Sequence, residues 1–317
     1  MGNCARVSRA GKDPIIHAEI QSPQSLLTNP VNLFPFPLPQ SPENQVQSNS
    51  DYQKDLGVLN LMSHIGYTNN CEYNGELSKI KQRHGKGTLK WPDGTTYSGD
   101  WDHDRATGKG LLEFPNGDTY EGDFLNNKFE GFGKYVNSKG VAYQGEWHDN
   151  IQNGMGKETF SDNTCFEGMF VDGQKNGKGK INFSDGSIFE GNFVANNLEG
   201  YGKLIWPALE NKVYEGEWKN NVMEGRGKMT WLDTGKTYEG EYKEDKKNGF
   251  GCFSWQTGEK WIGYWRYGQR HGNGVMIDKG NKLMEKGEWN MGKKVSDFDE
   301  NSKGFEEIFE YILRNLS

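Results

Sequence analysis

The side chains able to do chemistry in this sequence are few, and their spacing decides what they can do. Four cysteines, Cys4, Cys71, Cys165 and Cys252, stand far apart. They form no C-x-x-C clip for a metal or redox couple and no disulfide framework, a usage that fits a reducing, intracellular setting. Six histidines, His17, His64, His84, His103, His148 and His271, lack metal-ligand spacing. His84 and His271 each precede a Gly-x-Gly, where other copies of the same pattern carry Thr107, Glu130 or Asn153, so both are expected as solvated loop residues. The stretch Trp231–Thr237 ends in Gly235-Lys236-Thr237 like a phosphate-cradling loop, but that loop needs a glycine where Thr230 stands. The many Gly-x-Gly pairs sit in no strand–helix unit and so are no dinucleotide fingerprint. No Ser/His/Asp or Cys/His set can be assembled. The expectation is no enzyme, no cofactor and no metal.

The N-terminus offers a different chemistry. Gly2 followed by Asn3 and Cys4 matches a site for N-myristoylation with an adjacent palmitoylation cysteine, although Arg6 stands where serine or threonine is usual. The alternative is a glycine that simply follows Met1. Two acyl chains would hold a membrane firmly where one would not, and Arg6, Arg9 and Lys12 would add attraction to anionic lipid. The apolar core of a secretory leader is missing. Residues 1–66 hold seven of the ten prolines amid Ser, Gln and Asn, and such a segment cannot bury enough apolar surface to order itself. They are expected as a disordered tether with a reach of roughly 40 Å. One sticky patch, Val31–Leu38, would lie along the chain's own fold or dock on a partner in polyproline form.

The elements that position everything else lie in residues 67–292, which contain all ten tryptophans and all but five of the 43 glycines. An aromatic-x-Gly-x-aromatic segment recurs from Tyr73, Tyr97, Tyr120, Tyr143, Phe166, Phe189, Tyr214, Tyr238 and Trp261, at steps of 23 to 25 residues. A Gly-x-Gly follows each one in near-constant register. A recurrence of this kind signals a repeat architecture. In Tyr97-Ser98-Gly99-Asp100-Trp101, strand alternation puts Tyr97, Gly99 and Trp101 on one face. In Gly108-Lys109-Gly110-Leu111-Leu112-Glu113-Phe114 it puts Gly108, Gly110, Leu112 and Phe114 together. Residues 102–107 are expected as a six-residue hairpin loop, and Pro115-Asn116-Gly117-Asp118 as the turn to the next repeat. Glycine between two aromatics would leave a slot for a neighbouring ring. Nine repeats of two strands give about eighteen strands, stabilised by ring packing with few residues deeply buried.

The unit Tyr-x-Gly-x-Trp, a short charged loop, Gly-x-Gly-x-Leu-x-Trp and then Pro-Asp-Gly resembles the MORN repeat over about 220 of the 317 residues. Leu77 in place of the second aromatic, Asn163 in place of a turn glycine, and the extended connection Pro207–Val213 depart from the pattern. The resemblance implies an all-β fold: an elongated single-layer antiparallel sheet of stacked hairpins with an aromatic groove and no catalysis. Relatives serve as scaffolds in cilia and flagella, in cytoskeletal structures and at membrane contacts. A scaffold or adaptor in a ciliary (axonemal) or cytoskeletal assembly is therefore expected, gripping a helix or an extended peptide. The groove would be made by Tyr97, Trp101, Tyr120, Phe124, Tyr143, Trp147 and Phe166, continuing through Phe170, Phe189, Phe193, Tyr214, Trp218, Tyr238 and Tyr242. Two other functions fit the same unit: a peripheral protein binding anionic phospholipid through the repeats, and a targeting subunit for a separate enzyme. The net charge of −7 gives no reason to seek nucleic acid, and a mean hydropathy of −0.90 with no long apolar run excludes a spanning helix.

The C-terminal residues 293–317 change character. Phe305, Ile308, Phe309, Ile312, Leu313 and Leu316 recur at helical spacing, with Glu306 and Glu307 early and Arg314 late, as the helix dipole favours. This amphipathic helix is expected to cover the end of the array or its aromatic groove. A tenth copy of the pattern begins with Glu285 in place of the aromatic, keeps Gly287 and Trp289, and stops.

Overall fold

The computed structural model describes residues 71–206, 211–297 and 304–316. The expected tether, Gly2, Cys4, the Val31–Leu38 patch and part of the Pro207–Val213 connection lie outside them. Twenty strands belong to one open antiparallel sheet, with a single helix after it among the described residues. The chain divides into two compact units, one ending at Gly156 and the other beginning at Lys157. The first unit runs through β1 (Glu72–Leu77), β2 (Arg83–Lys90), β3 (Thr96–Asp102), β4 (Arg105–Glu113), β5 (Thr119–Leu125), β6 (Lys128–Val136), β7 (Ala142–His148) and most of β8 (Ile151–Thr159). The second holds β9 (Cys165–Val171), β10 (Gln174–Asn182), β11 (Ile188–Val194), β12 (Asn197–Trp206), β13 (Lys212–Lys219) and β14 (Val222–Trp231). It continues with β15 (Lys236–Lys243), β16 (Lys246–Ser254), β17 (Lys260–Arg266), β18 (Gln269–Ile277), β19 (Leu283–Asn290), β20 (Lys293–Ser296) and the helix α1 (Phe305–Leu316). The tenth copy thus completes a strand, and the sheet runs to Ser296, past the expected end at residue 292. Trp289 on β19 meets Trp261 edge to face at 4.3 Å. The short last strand carries Lys293 and Lys294 on its edge, a pattern that discourages further pairing.

Within a repeat the expected six-residue loop is not there. β3 and β4 are joined by two residues only, His103 and Asp104, both at positive φ, as the mirror-image turn matched to strand twist requires. The loop looked longer in the sequence because β4 carries a bulge. Gly99 faces Gly110, but the register then slips and Trp101 faces Ala106. Two residues, Gly108 and Lys109, are left out of this pairing, and Gly108 takes a φ of 63° that suits a glycine. Ala106, not Gly108, therefore joins the ring face. Between repeats the pairing is straight: Gly108 faces Phe124, Gly110 faces Gly122 and Leu112 faces Tyr120. The inter-repeat turn follows expectation. Gly117 has φ 92°, Asn116 Oδ1 accepts the Asp118 amide at 3.0 Å, and Asn163 takes the positive φ where other copies use glycine.

A second set of bonds stitches successive hairpins. Asn127, the second residue of the β5–β6 turn, accepts the Ala106 amide on its Oδ1 at 2.7 Å, while its own amide donates to the Ala106 carbonyl at 3.0 Å. Asn150 treats Phe129 the same way, as do Asn196 with Lys175, Asn221 with Leu198 and Asp245 with Met223. A buried backbone amide left unmatched costs about 1–3 kcal/mol, so where this turn position holds Asn or Asp its side chain settles the edge of the preceding repeat; Gly173 holds it in the β9–β10 turn. Gly268 and Gly292 occupy this turn position in the last two hairpins. They keep only the main-chain bond, to Lys247 and Arg270 respectively.

Candidate functional site

The glycine pair at the centre of each repeat exists so that a ring can lie on it. A Cβ on Gly110 would stand 2.5 Å from Tyr97 Cε2, and one on Gly99 would stand 2.6 Å from Gly110 Cα. The ring over the slot is thus mainly the repeat's own first aromatic, not a neighbour's. The first rings Tyr97, Tyr120, Phe166, Phe189, Tyr214 and Tyr238 each meet two others edge to face. Tyr97 meets Trp101 at 5.0 Å and Phe124 of the next repeat at 4.9 Å. In the second unit Phe189 meets Phe193 at 5.5 Å and Trp218 at 5.4 Å. Such pairs are worth about 0.5–1.5 kcal/mol beyond their burial. The polar tips are satisfied within the ladder: Tyr97 Oη donates to the Asp100 carbonyl at 3.0 Å and Trp101 Nε1 to the Gly87 carbonyl at 2.9 Å. The acidic residue beside the second aromatic is also structural, since Asp100 Oδ2 accepts the Lys109 amide at the bulge.

All fourteen expected groove residues, from Tyr97 to Tyr242, lie on this face, and each is 5% exposed or less. The expectation of few deeply buried residues is thereby corrected: a single sheet buries its rings because each lies flat on glycine and is roofed by a side chain of the second strand. That roofing position was not recognised in the sequence, where it fell inside the supposed loop. It is filled by Ala106, Phe129, Leu198 and Met223, all buried, with Phe129 stacked on Tyr120 at 3.4 Å. In four repeats a cation occupies it. Arg83 stands 4.4 Å over Trp101 and pairs with Asp104 at 3.1 Å. Lys175 lies among Phe160, Phe166 and Phe170 and pairs with Glu158, both buried. Lys247 stands 4.2 Å over Trp265, and Arg270 stands 4.5 Å over Trp261. Burial, and then the positive charge of Arg270, lower the Lys247 ammonium to about 8.

The opposite face is mostly charged, with Lys86–Asp100 and Lys109–Asp123 each at 2.7 Å. The helix α1 lies here, correcting the expectation that it caps the array's end or the ring face. Ile308 joins Cys252, Ile262, Val275 and Ile277 in one cluster, with Phe250, Tyr311 and Ile312 packed against it. The signal for this was present. Cys252 and Val275 stand where other repeats have Lys134, Lys180, Lys203 or Lys228, and Ile262 where they have Glu121, Glu190 or Glu215. Tyr264 Oη donates to Glu307, and Phe250 and Tyr311 pack at 5.7 Å. Beside the helix opens a cleft of about 600 Å³ whose lining includes Tyr201, Arg226, Phe250, Tyr311 and Arg314. In the first unit the same face shows Phe132 and Met155, both half-exposed, at the middle position of Gly-x-Gly, where Phe250 stands in the covered repeat.

The MORN repeat pattern matches nine times, at residues 81–96, 97–119, 120–141, 143–165, 166–188, 189–208, 214–235, 238–260 and 261–281. The chain belongs to the MORN-repeat family. No protein of curated function matches this MORN-repeat chain. Among solved structures it is similar to the TCP domain of SAS-4 from Drosophila melanogaster in complex with a proline-rich motif of Ana2, at 15% identity and TM-score 0.29, over 61% of this chain and 90% of that one. It is also similar to the TCP10 domain of CPAP from Danio rerio, at 12% identity and TM-score 0.31, over 68% and 94%. A third likeness is to the CPAP G-box domain, at 13% identity and TM-score 0.36, over 65% and 100%. The MORN repeat is a non-enzymatic repeat. Among the described residues of this MORN-repeat chain, no group of three or more His, Cys, Asp or Glu side chains could hold a metal ion.

Proposed function

We propose that the chain is a non-catalytic scaffold that binds an amphipathic helix of a protein partner. The observation that carries this reading is α1 itself, which shows how a helix sits on the charged face once its Lys and Glu positions turn apolar. Phe132 and Met155 offer the same kind of seat in the first unit, and exposed apolar side chains grouped on a charged surface mark interaction sites. The fourteen rings enter this reading as the rigid floor of the scaffold, because at 5% exposure or less they offer a partner only their edges. Family membership supports a setting in a ciliary or cytoskeletal assembly, and acylation at Gly2 and Cys4 would add a membrane tether.

The test is proximity labelling in ciliated cells, comparing the full chain with Phe132→Glu/Met155→Glu and with Gly2→Ala. The first variant keeps its fold and loses its cytoskeletal neighbours, whereas Gly2→Ala loses membrane neighbours alone. Unchanged neighbours for a folded Phe132→Glu/Met155→Glu variant would refute the helix seat.

A further inference from the structure

Lys247 and Arg270 occupy the roofing position of two successive repeats, and their surroundings differ from those of the other roofing cations in one respect. Arg83 receives its carboxylate from Asp104, the second turn residue of the next hairpin, which accepts from Arg83 Nε at 3.1 Å. Lys175 receives one from Glu158. For Lys247 and Arg270 the equivalent turn residues are Gly268 and Gly292, which have no side chain to offer. Among the described residues neither cation forms an ion pair or a side-chain hydrogen bond. Both are half-buried on the ring face, held by aromatic rings: Trp265, Phe253 and Tyr238 around Lys247 at 4.2 to 5.4 Å, and Trp261 and Trp255 beneath Arg270 at 4.5 and 5.5 Å. Burial lowers the Lys247 ammonium and the charge of Arg270 adds to that. Burial lowers Arg270 as well, opposed by the charge of Glu285, whose own ion pair is with Lys294. A partly desolvated charge gains more from a direct counter-charge than one in open water. Every ammonium and guanidinium donor here is open to an incoming acceptor.

We propose that Lys247 and Arg270 form a site on the ring face that takes the carboxylates of an acidic segment of a protein partner. The ligand class follows from the molecule itself, because in the two repeats where a roofing cation is satisfied, a carboxylate satisfies it. The partner supplies in trans what Asp104 supplies in cis. This site uses the ring side of its own repeats and none of the Phe132 and Met155 side chains, so the two surfaces are tested separately.

The probes are a ten-residue glutamate peptide, its glutamine counterpart, and vesicles with and without phosphatidylserine, each titrated against the full chain by tryptophan fluorescence. Two double variants decide. Lys247→Met/Arg270→Leu installs the apolar roof that Met223 and Leu198 already provide, so it folds, and it binds the glutamate peptide at least tenfold more weakly. Gly268→Asp/Gly292→Asp keeps both cations but satisfies them within the chain. A Cβ at Gly268 meets nothing within 4 Å, and at Gly292 only Gln269 Oε1 at 3.4 Å, while Asp104 already adopts positive φ at the equivalent turn. It too loses the peptide. Glutamate-peptide affinity unchanged in either folded variant, or equalled by the glutamine peptide, overturns the proposal. Binding to phosphatidylserine vesicles without binding to the glutamate peptide also overturns it, in favour of a lipid site.

Discussion

Replacing Asp245 with asparagine should stabilise the protein at neutral pH and leave it unchanged in acid. Asp245 fills the turn position that Asn127, Asn150, Asn196 and Asn221 fill elsewhere, and its Oδ1 accepts the Met223 amide at 2.7 Å. Burial raises its carboxyl to about 6, the Met223 hydrogen bond opposing and the nearby Glu224 adding. An acid whose folded value lies above its unfolded one is favoured when protonated. Its stabilising contribution is complete below about pH 4 and is lost as the pH rises through about 6. Against an ordinary value of 3.8, ionising it in place costs roughly 3 kcal/mol at 1.36 kcal/mol per tenfold change in proton affinity. The group is half solvated, so screening reduces this to about 1 kcal/mol. Asparagine keeps the acceptor and carries no charge. Thermal melts of wild type and Asp245→Asn between pH 4 and 8 should show the variant about 2–4 °C higher at pH 7, with the gap closing below pH 5. A variant no more stable at pH 7, or a gap independent of pH, would refute the assignment of the strain to this carboxylate.

Two further predictions concern the packing. Gly110→Ala pushes a methyl group into the Tyr97 ring and should cost about 3 kcal/mol. Gly140→Ala, at φ 83° but with nothing within 4 Å, should cost about 1 kcal/mol; denaturant melts compare the two, and equal losses would contradict the ring-on-glycine account. Lys175→Leu alone strands Glu158 and should cost about 3–5 kcal/mol. Lys175→Leu/Glu158→Ile, which reproduces the buried Leu198 and Ile181 arrangement one repeat on, should recover most of that stability in the same assay.

The all-β repeat architecture was legible because one steric need, a ring lying on a glycine pair, is written nine times in register. The inter-repeat turn was legible for the same reason, since Gly117 and its equivalents need positive φ. The two-residue turn was not. The bulge leaves two residues of the second strand, Gly108 and Lys109, out of the pairing, so a strand read as starting at Gly108 stops short and consigns Ala106 to a loop. The shortened strand also hid the roofing position, whose occupants range from Ala106 to Arg270 and share no residue type, only a place over the rings. The helix was legible from its own periodicity, but its landing site required Cys252, Ile262 and Val275 to be compared with their counterparts in other repeats.

The turn-to-hairpin stitch points one way along the chain: each Asn or Asp that makes it secures the hairpin before it, and among the described residues no later turn secures the last. Where Gly268 and Gly292 drop the side-chain half of that fastening, α1 is pressed on the back of β16, β17 and β18. The helix thus behaves as a clasp on the loose end of a zip. Its release would free the terminal hairpins to open first, so that hydrogen exchange should travel inward from the C-terminal end of the second unit.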